Sequence, residues 1–496
     1  MNRSRLNHMV ASGLGLLLLA AFVTAGCQYG QQTSVVEPEK MPVTTASEQA
    51  REEYIRGRDL FEKLRFTDAR EHYAKAVELD PDFALAHLGM ANTSPTATEF
   101  WNSLEAAVTA ADKASEGERH FVLAADAGTR GKVAAQKEHL DRLAEMFPDD
   151  ERVHNAIGQY YFGRQDYAKA VEHYDKAASL NADFSQPYNQ LGYAHRFMNN
   201  YDSAEKAFKK YIELIPDEPN PYDSFAELLM KTGRWEESIQ NYELALEKNP
   251  NFIASYIGIG NNQMFMGQGE QARETFGKLL EVARNDGERR QALFWTANSY
   301  IHEGDIEAAL EALDERYAIA AETKDLSTPA GDLVLIGNVL LEAGRADQAL
   351  AKYDAALETM DRSDALGDNK DNFRRNHLYR AARVSLAKGE LNAAEQAASD
   401  YGKQVGELGI PFEIRQHHEL LGMIALKRKD HDTAIEHLEQ ANQQNPRVLY
   451  LTALAHKSAG NADSAREMCE RAARFNGLNF NYAFVRGPAL EMLEKL

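Results

Sequence analysis

Small and aromatic residues return along this chain every 34 positions. Between 151 and 284, four successive stretches carry a small residue (Gly158, Gly192, Ala226, Gly260), a second twelve positions later (Ala170, Ala204, Ser238, Ala272) and an aromatic four beyond that (Tyr174, Phe208, Tyr242, Phe276). Small residues let two helices approach closely, and an aromatic one turn further on fills the groove between them. Each stretch therefore predicts an antiparallel helix pair that stacks on the next. Tyr167, Tyr201 and Trp235 recur at one more fixed place, and Pro216 and Pro250 stand where the second helix must stop, since proline cannot continue it.

The register extends towards both ends. Near Ala50 a unit shows Gly57, Ala69, Tyr73, Ala76 and Pro81. A degenerate unit follows over roughly 84 to 116, and another opens on Ser115-Glu116-Gly117-Glu118, a capping box that starts a helix, and closes with Leu140, Leu143 and Pro148. Beyond 286 the period stretches to about 40 to 45, with anchors at Ala297/Ala309, Gly337/Ala349/Tyr353 and Ala382/Ala394, so longer helices are expected there. Gly422, Ala434, Leu438, Ala441 and Pro446 rebuild a standard unit, and Ala465, Cys469 and Ala472 form a last one. Residues 361–372 are the longest break in periodicity. Their carboxylates lack the order and the closing Glu of a calcium loop, so a solvated connection is expected. Gly477 to Leu496 reads as a terminal helix that covers the last pair with its apolar face and turns its charges to water, the cap a solenoid needs.

This small, aromatic and proline signature resembles that of the tetratricopeptide repeat family over nearly all of 50 to 475. The resemblance implies an all-α chain, an α-solenoid of about twelve antiparallel helix pairs. Its parts are an N-terminal array over 50–286, longer and degenerate pairs over 287–414, and C-terminal units with a capping helix over 415–496.

The chain ahead of the array reads differently. Arg3 and Arg5 precede an apolar stretch from Val10 to Val23, which is short of the roughly 20 residues a bilayer span needs, so 1–26 read as a signal peptide. Val23-Thr24-Ala25-Gly26-Cys27 resembles a bacterial lipobox, although Thr24 stands where Leu is usual. The resemblance implies diacylation of Cys27, which becomes the mature N-terminus; the alternatives are an ordinary cut near Ala25 or Gly26, or an uncleaved anchor. Gln28, in place of the Asp that often marks inner-membrane retention, favours the outer membrane, on the side facing the periplasm. Residues 27–49 then form the lipidated cysteine and a flexible tether, since 28–47 are rich in Gln, Thr, Ser and Pro and carry no periodic apolar face.

Charge and composition narrow the partners. The net charge is −21, and Arg3 and Arg5 are the only charges before Cys27, so the chain beyond it carries −23. An acidic surface repels nucleic acid and anionic lipid, so contact with the membrane is expected through the N-terminal lipid alone. With Cys27 lipidated, Cys469 has no partner for a disulfide and reads as a packing residue in an aromatic's place.

Apparent catalytic signals dissolve on inspection. His417-His418-Glu419 has Gly422 where a zinc-protease pattern needs its second histidine, and His431 and His437 read as surface residues. Gly128-Thr129-Arg130-Gly131-Lys132 has Asp126 in place of the first glycine of a phosphate loop and Val133 in place of its Ser or Thr, so it reads as a turn, as does Gly267-Gln268-Gly269. No catalytic residue, metal site or cofactor is expected.

In the family this chain resembles, the first helices of successive units line a concave groove. The resemblance then implies a partner-binding set of Asn155, Gln159, Phe162, Asn189, Tyr193, Arg196, Asp223, Glu227, Met230, Asn261 and Met264. Amides beside aromatic and apolar side chains suit an extended peptide or a partner helix. A carboxylate clamp is not expected, because Asn220 and Ser224 stand where its basic residues belong, and Asp223 with Glu227 points to a basic or neutral ligand. The function expected is a non-enzymatic scaffold or adaptor for other envelope proteins. The alternatives are a lipoprotein that captures a ligand for uptake, and a chaperone or regulator of an envelope enzyme.

Overall fold

A computed structural model describes residues 40–496 apart from 324 and 366; the expected signal peptide, Cys27 and residues 28–39 of the tether lie outside the described residues. The described residues form 25 helices and no strand. The first pairs are α1 (Glu48–Glu62) with α2 (Phe66–Leu79), α3 (Ala84–Asn92) with α4 (Ala97–Ala111), α5 (Glu116–Thr129) with α6 (Val133–Met146), and α7 (Glu151–Gly163) with α8 (Tyr167–Leu180). Three more are α9 (Ser185–Phe197) with α10 (Tyr201–Leu214), α11 (Asn220–Lys231) with α12 (Trp235–Lys248), and α13 (Ile253–Phe265) with α14 (Gly269–Val282). The longer pairs are α15 (Asp286–Glu303) with α16 (Ile306–Ala321), α17 (Ser327–Glu342) with α18 (Ala346–Arg362), and α19 (Gly367–Lys388) with α20 (Leu391–Leu408). Then come α21 (Pro411–Arg428) with α22 (His431–Gln440), α23 (Pro446–Ser458) with α24 (Ala462–Ala473), and the single α25 (Tyr482–Glu494). Each odd-numbered helix packs on the even one after it, and each pair on the next, so the solenoid has twelve pairs and a closing helix.

The repeat signature is the packing itself. Tyr174, Phe208, Tyr242 and Phe276 are all fully buried. A Cβ on Gly158 would sit 2.4 Å from the Tyr174 ring, and one on Gly192 would sit 2.4 Å from that of Phe208, so the small residue is what lets the ring lie flat on the first helix. Burying each such ring contributes about 1.5–3 kcal/mol. Where Ala226 replaces glycine, Ser238 donates to the Ala226 carbonyl at 2.7 Å and accepts from the Asn262 amide at 2.9 Å, so the buried hydroxyl is used as both donor and acceptor. Helix starts follow local chemistry. Asp150 accepts the N–H groups of Arg152 and Val153, and Ser115 with Glu118 closes the capping box. The stretched period past 286 is a lengthening of helices: α15 and α19 have 18 and 22 residues, against 13 and 14 for α7 and α8.

Three expectations are corrected. The connection expected over 361–372 is mostly helix, because α19 begins at Gly367; Arg374 pairs with both Asp361 and Asp371, and Asp368 suits the first turn of a helix. The tether expected to run to residue 49 is already pinned by Lys40. Backbone N–H groups of Met41, Thr44 and Ala46 donate to Asp150 (2.8 Å), Glu118 (2.7 Å) and Asp80 (2.9 Å), and Lys40 pairs with Glu151. Lastly, α25 does more than cover the last pair. Besides α23 and α24 it packs on α15, because it is apolar on more than one side: Tyr482, Val485, Ala489 and Met492 are buried, and Phe480, just ahead of it, packs on Phe294 and on Phe484.

That last contact belongs to a series that closes the solenoid on itself. Arg130 pairs with Asp368 at 3.2 Å, Gln165 donates to Asn442 at 3.0 Å, the Lys231 ammonium lies 4.4 Å from the Phe475 ring centre, and the Tyr482 hydroxyl reaches Asn261 at 3.3 Å. The C-terminal third thus lies along the N-terminal half in the same chain order. Gln165 adopts φ 62, a left-handed conformation that costs a residue with a Cβ about 1–2 kcal/mol, and its side chain makes one of these closing contacts.

Candidate partner-binding groove

The first helices of the first five pairs line an open cavity of about 640 Å³. Tyr54 and Phe61 of α1, Leu88 of α3 and Phe121 of α5 supply apolar wall, and Asn155 and Gln159 of α7 with Gln186 and Gln190 of α9 supply amides. Arg152 of α7 reaches across to Glu62 of α1 at 2.9 Å, joining units 90 positions apart and setting how tightly the groove curves. The pinned segment enters here. Lys40, Met41 and Val43 line the cavity, and the backbone N–H groups of this segment are taken by carboxylates at the starts of successive units. The groove thus already holds an extended piece of chain by its backbone, with charge-assisted hydrogen bonds.

The expected binding set divides on this surface. Asn155 and Gln159 line the open cavity; Asn155 donates to Gln186 at 2.7 Å, its own oxygen is buried with no partner, and Gln159 is exposed. Phe162 is half-buried in an aromatic cluster with Tyr167 and Phe197, and Asn189 is buried. Tyr193 packs edge-on against Phe208 and donates to Ser224 at 3.3 Å; Arg196 pairs with Glu227 at 2.9 Å and lies over the Tyr193 ring.

Met230, Asn261 and Met264 are fully covered, so they line no open groove. The cover is the C-terminal segment: the Tyr482 hydroxyl lies 3.3 Å from Asn261 and 3.5 Å from the Met264 sulfur, and its ring packs edge-on against Phe265. The expected acidic lining is corrected too. Glu227 is neutralised by Arg196, and burial, with Glu227 beside it, pushes the Asp223 carboxyl up to about 8, while Ser255 donates to it at 2.8 Å. Asp223 is therefore mostly uncharged at neutral pH and offers a basic ligand little attraction.

Two groups of residues were not foreseen. One is the N-terminal wall of Tyr54 and Phe61, in the first unit at places outside its repeat signature, and Phe121, in a degenerate unit. The other is a set of histidine pairs, each 19 positions apart: His120/His139, His154/His173 and His418/His437, with Nδ1 atoms 2.9, 3.2 and 3.1 Å apart. The constant spacing was visible in the sequence and joins a first helix to its second. Burial, and then the partner histidine, holds His120, His173 and His418 below the usual histidine range, so these three are neutral near pH 7. Among the described residues no three His, Cys, Asp or Glu side chains gather as a metal site would require.

Models of the tetratricopeptide repeat match residues 54–93, 151–184, 185–218, 257–324 and 419–480. No curated protein matches the sequence. Among solved structures, the chain is similar to the APC/C hetero-tetramer Cut9-Hcn1 at 14% identity, over 88% of this chain and 78% of that one, with a TM-score of 0.40. It is similar to MamA at 20% identity over 34% of this chain and 91% of that one, with a TM-score of 0.29. It is also similar to YrrB, described as a tetratricopeptide repeat protein with an unusual peptide-binding site, at 19% identity over 37% and 93% of the two chains, with a TM-score of 0.26.

Proposed function

We propose, for a chain that belongs to the tetratricopeptide repeat proteins, that it is a non-enzymatic scaffold holding partner proteins by extended peptides or helices in the N-terminal part of its groove. The observation that carries this reading is the open cavity across α1 to α9, where the chain's own residues 40–46 already lie extended with their N–H groups on Asp80, Glu118 and Asp150. A partner peptide continues the same use of the surface, with side chains on Phe61 and Phe121 and backbone on the amides of Gln159 and Gln190. We further infer that lipid on Cys27 holds the scaffold at the bacterial cell envelope, at the outer membrane facing the periplasm. Twelve residues, 28–39, separate Cys27 from the pinned segment. Such a length spans at most about 45 Å, so partners would be gathered close to the bilayer.

Affinity capture from detergent-solubilised envelopes, using the full chain and a Phe61→Ala/Gln159→Arg/Gln190→Arg variant, tests the groove. Proteins held by the parent and lost from the variant support it; identical capture by both would place the partner seat elsewhere. Release of the Cys27→Ser variant from the membrane fraction is the matching outcome for the anchor.

A further inference from the structure

A second cavity, of about 330 Å³, lies between the first helices α17, α19, α21 and α23 and the segment that leads into α25. Its volume is at the lower end of small-ligand sites. Three arginines, Arg380, Arg383 and Arg447, and two glutamates, Glu342 and Glu419, line it, which leaves one positive charge in excess. Glu342 receives both Arg383, at 2.7 Å, and Arg447. Arg380 is different: it is half-buried, its Nη1 is buried without a partner among the described residues, and its guanidinium lies 5.0 Å from the centre of the Phe373 ring. Burial pulls its guanidinium down to about 10, still charged at neutral pH. The Nε of Arg383 is likewise buried and unpartnered. The Oε1 of Glu419 in the same wall is also buried and unpartnered, so two orphan donors stand against one orphan acceptor, and a bound anion that carries a hydroxyl would satisfy both kinds.

Two amides beside it, Asn442 and Asn445, add donors. The Asn442 oxygen accepts the backbone N–H of Gln444 (3.1 Å) and the side chain of Gln165 (3.0 Å). That of Asn445 accepts the backbone N–H of Arg447 (3.1 Å) and the side chain of Asn481 (3.0 Å). A backbone N–H can only donate, so these oxygens are fixed in place and each amide has its NH2 left to offer. Phe412, Phe480 and Phe484 supply the apolar wall.

We propose that this cavity binds a small monocarboxylate rich in carbonyl or hydroxyl oxygens, with the Arg380 guanidinium taking the carboxylate. A planar guanidinium matches a carboxylate with two parallel hydrogen bonds, whereas a dianion would be repelled by Glu342 and Glu419 in the same wall. Because residues 479–484 form part of that wall, the occupant also ties α25 to the solenoid. The site is independent of the partner seat in the N-terminal groove.

The test is calorimetry and thermal melting of the full chain with D-glucuronate and N-acetyl-L-alanine, each against its uncharged twin, D-glucose or N-acetyl-L-alaninamide, at up to about 20 mM, where millimolar affinity still saturates. The expected result is saturable binding and a raised melting temperature with at least one acid, and at least about tenfold weaker binding of its twin. Arg380→Gln should lose the binding about tenfold or more, Arg380→Lys should lose it in part, and unliganded Arg380→Gln should melt no lower than the parent, since it removes the charge of a half-buried guanidinium whose Nη1 has no partner. Silence from both acids, equal binding of the twins, phosphate binding as tightly as the acids, or a lower melting temperature of unliganded Arg380→Gln would each overturn the proposal. So would a pentapeptide that binds as well as the acids through its free C-terminus, which would make the occupant a protein end.

Discussion

Asp223→Asn should stabilise the middle of the solenoid at neutral pH and do nothing in acid. Burial, with Glu227 nearby, raises the Asp223 carboxyl to about 8 in the folded chain. In the unfolded chain the same group titrates near about 3.9. Between those values the native state holds a proton that the unfolded state has released, so stability falls as pH rises through that window. At about 1.4 kcal/mol per pH unit, the penalty near pH 7 is at most about 4 kcal/mol, and near pH 5 about 1.5 kcal/mol. Relaxation around a buried carboxyl shrinks such figures, so a gain of about 1–4 kcal/mol for the variant near pH 7.5 is the expected scale. Asparagine keeps the acceptor for Ser255, which donates at 2.8 Å, and carries no charge to bury. A solenoid feels a change chiefly in its nearest units, so amide hydrogen exchange in α11 and α13, read against the parent at matched pH, is the sharper assay beside thermal melts. Equal or greater loss of protection in Asp223→Asn at about pH 7.5 would mean that Asp223 is ionised and held by Arg196, and the reasoning fails.

Gly192→Ala places a methyl 2.4 Å from the Phe208 ring and should cost about 1–3 kcal/mol, whereas Gly277→Ala, in an open helical position, should be neutral or gain up to about 1 kcal/mol; thermal melts separate them. The histidine pairs should make the fold acid-labile. The folded pKa values of His120, His173 and His418 lie below the unfolded value near about 6.5, so the stability they contribute is complete above that pH and drops as pH falls below it, and a His173→Gln/His418→Gln variant should lose less stability than the parent between about pH 7.5 and 5.5. Tyr482→Ala removes the ring that covers Asn261 and Met264 and should cost about 3–5 kcal/mol locally, read as faster amide exchange in α13, α15 and α25 with α1 to α5 unchanged.

The helix pairs were legible because the contact that defines them is local. Gly158 and Tyr174 meet within one unit, and selection for that contact leaves a mark at fixed spacing. Even the degenerate third unit kept its capping box at Ser115 and Glu118. The closure of the solenoid left no such mark. Asn261 and Tyr482 are 221 positions apart, Gln165 and Asn442 are 277 apart, and each side chain reads as an ordinary surface residue in its own unit. Family register therefore placed Met230, Asn261 and Met264 on the groove wall without showing that another part of the chain fills the space in front of them. Charge failed for a related reason. Asp223 and Glu227 read as an acidic stripe, yet Arg196 lies one unit back and burial protonates Asp223, two facts that depend on three-dimensional neighbours.

Closure also divides the labour of the groove. A solenoid of twelve pairs offers one long concave surface, but this chain fills its middle with its own residues 475–486 and lays residues 40–46 along its start. Among the spaces that stay open are an apolar and amide surface between α1 and α9 and an arginine-lined cavity between α17 and α23. The two differ in a way that follows from what closes them. The first is bounded by a short extended segment held by three carboxylates, each contact worth a few kcal/mol at most, so a competing peptide can displace or extend it. The second is bounded by a helix whose Tyr482, Val485 and Met492 are buried against core, so its occupant has to be small enough to enter past a fixed wall. An exchangeable segment at one end and a fixed helix at the other are what favour the proposed macromolecular partner in the N-terminal groove and the proposed small acid beside Arg380.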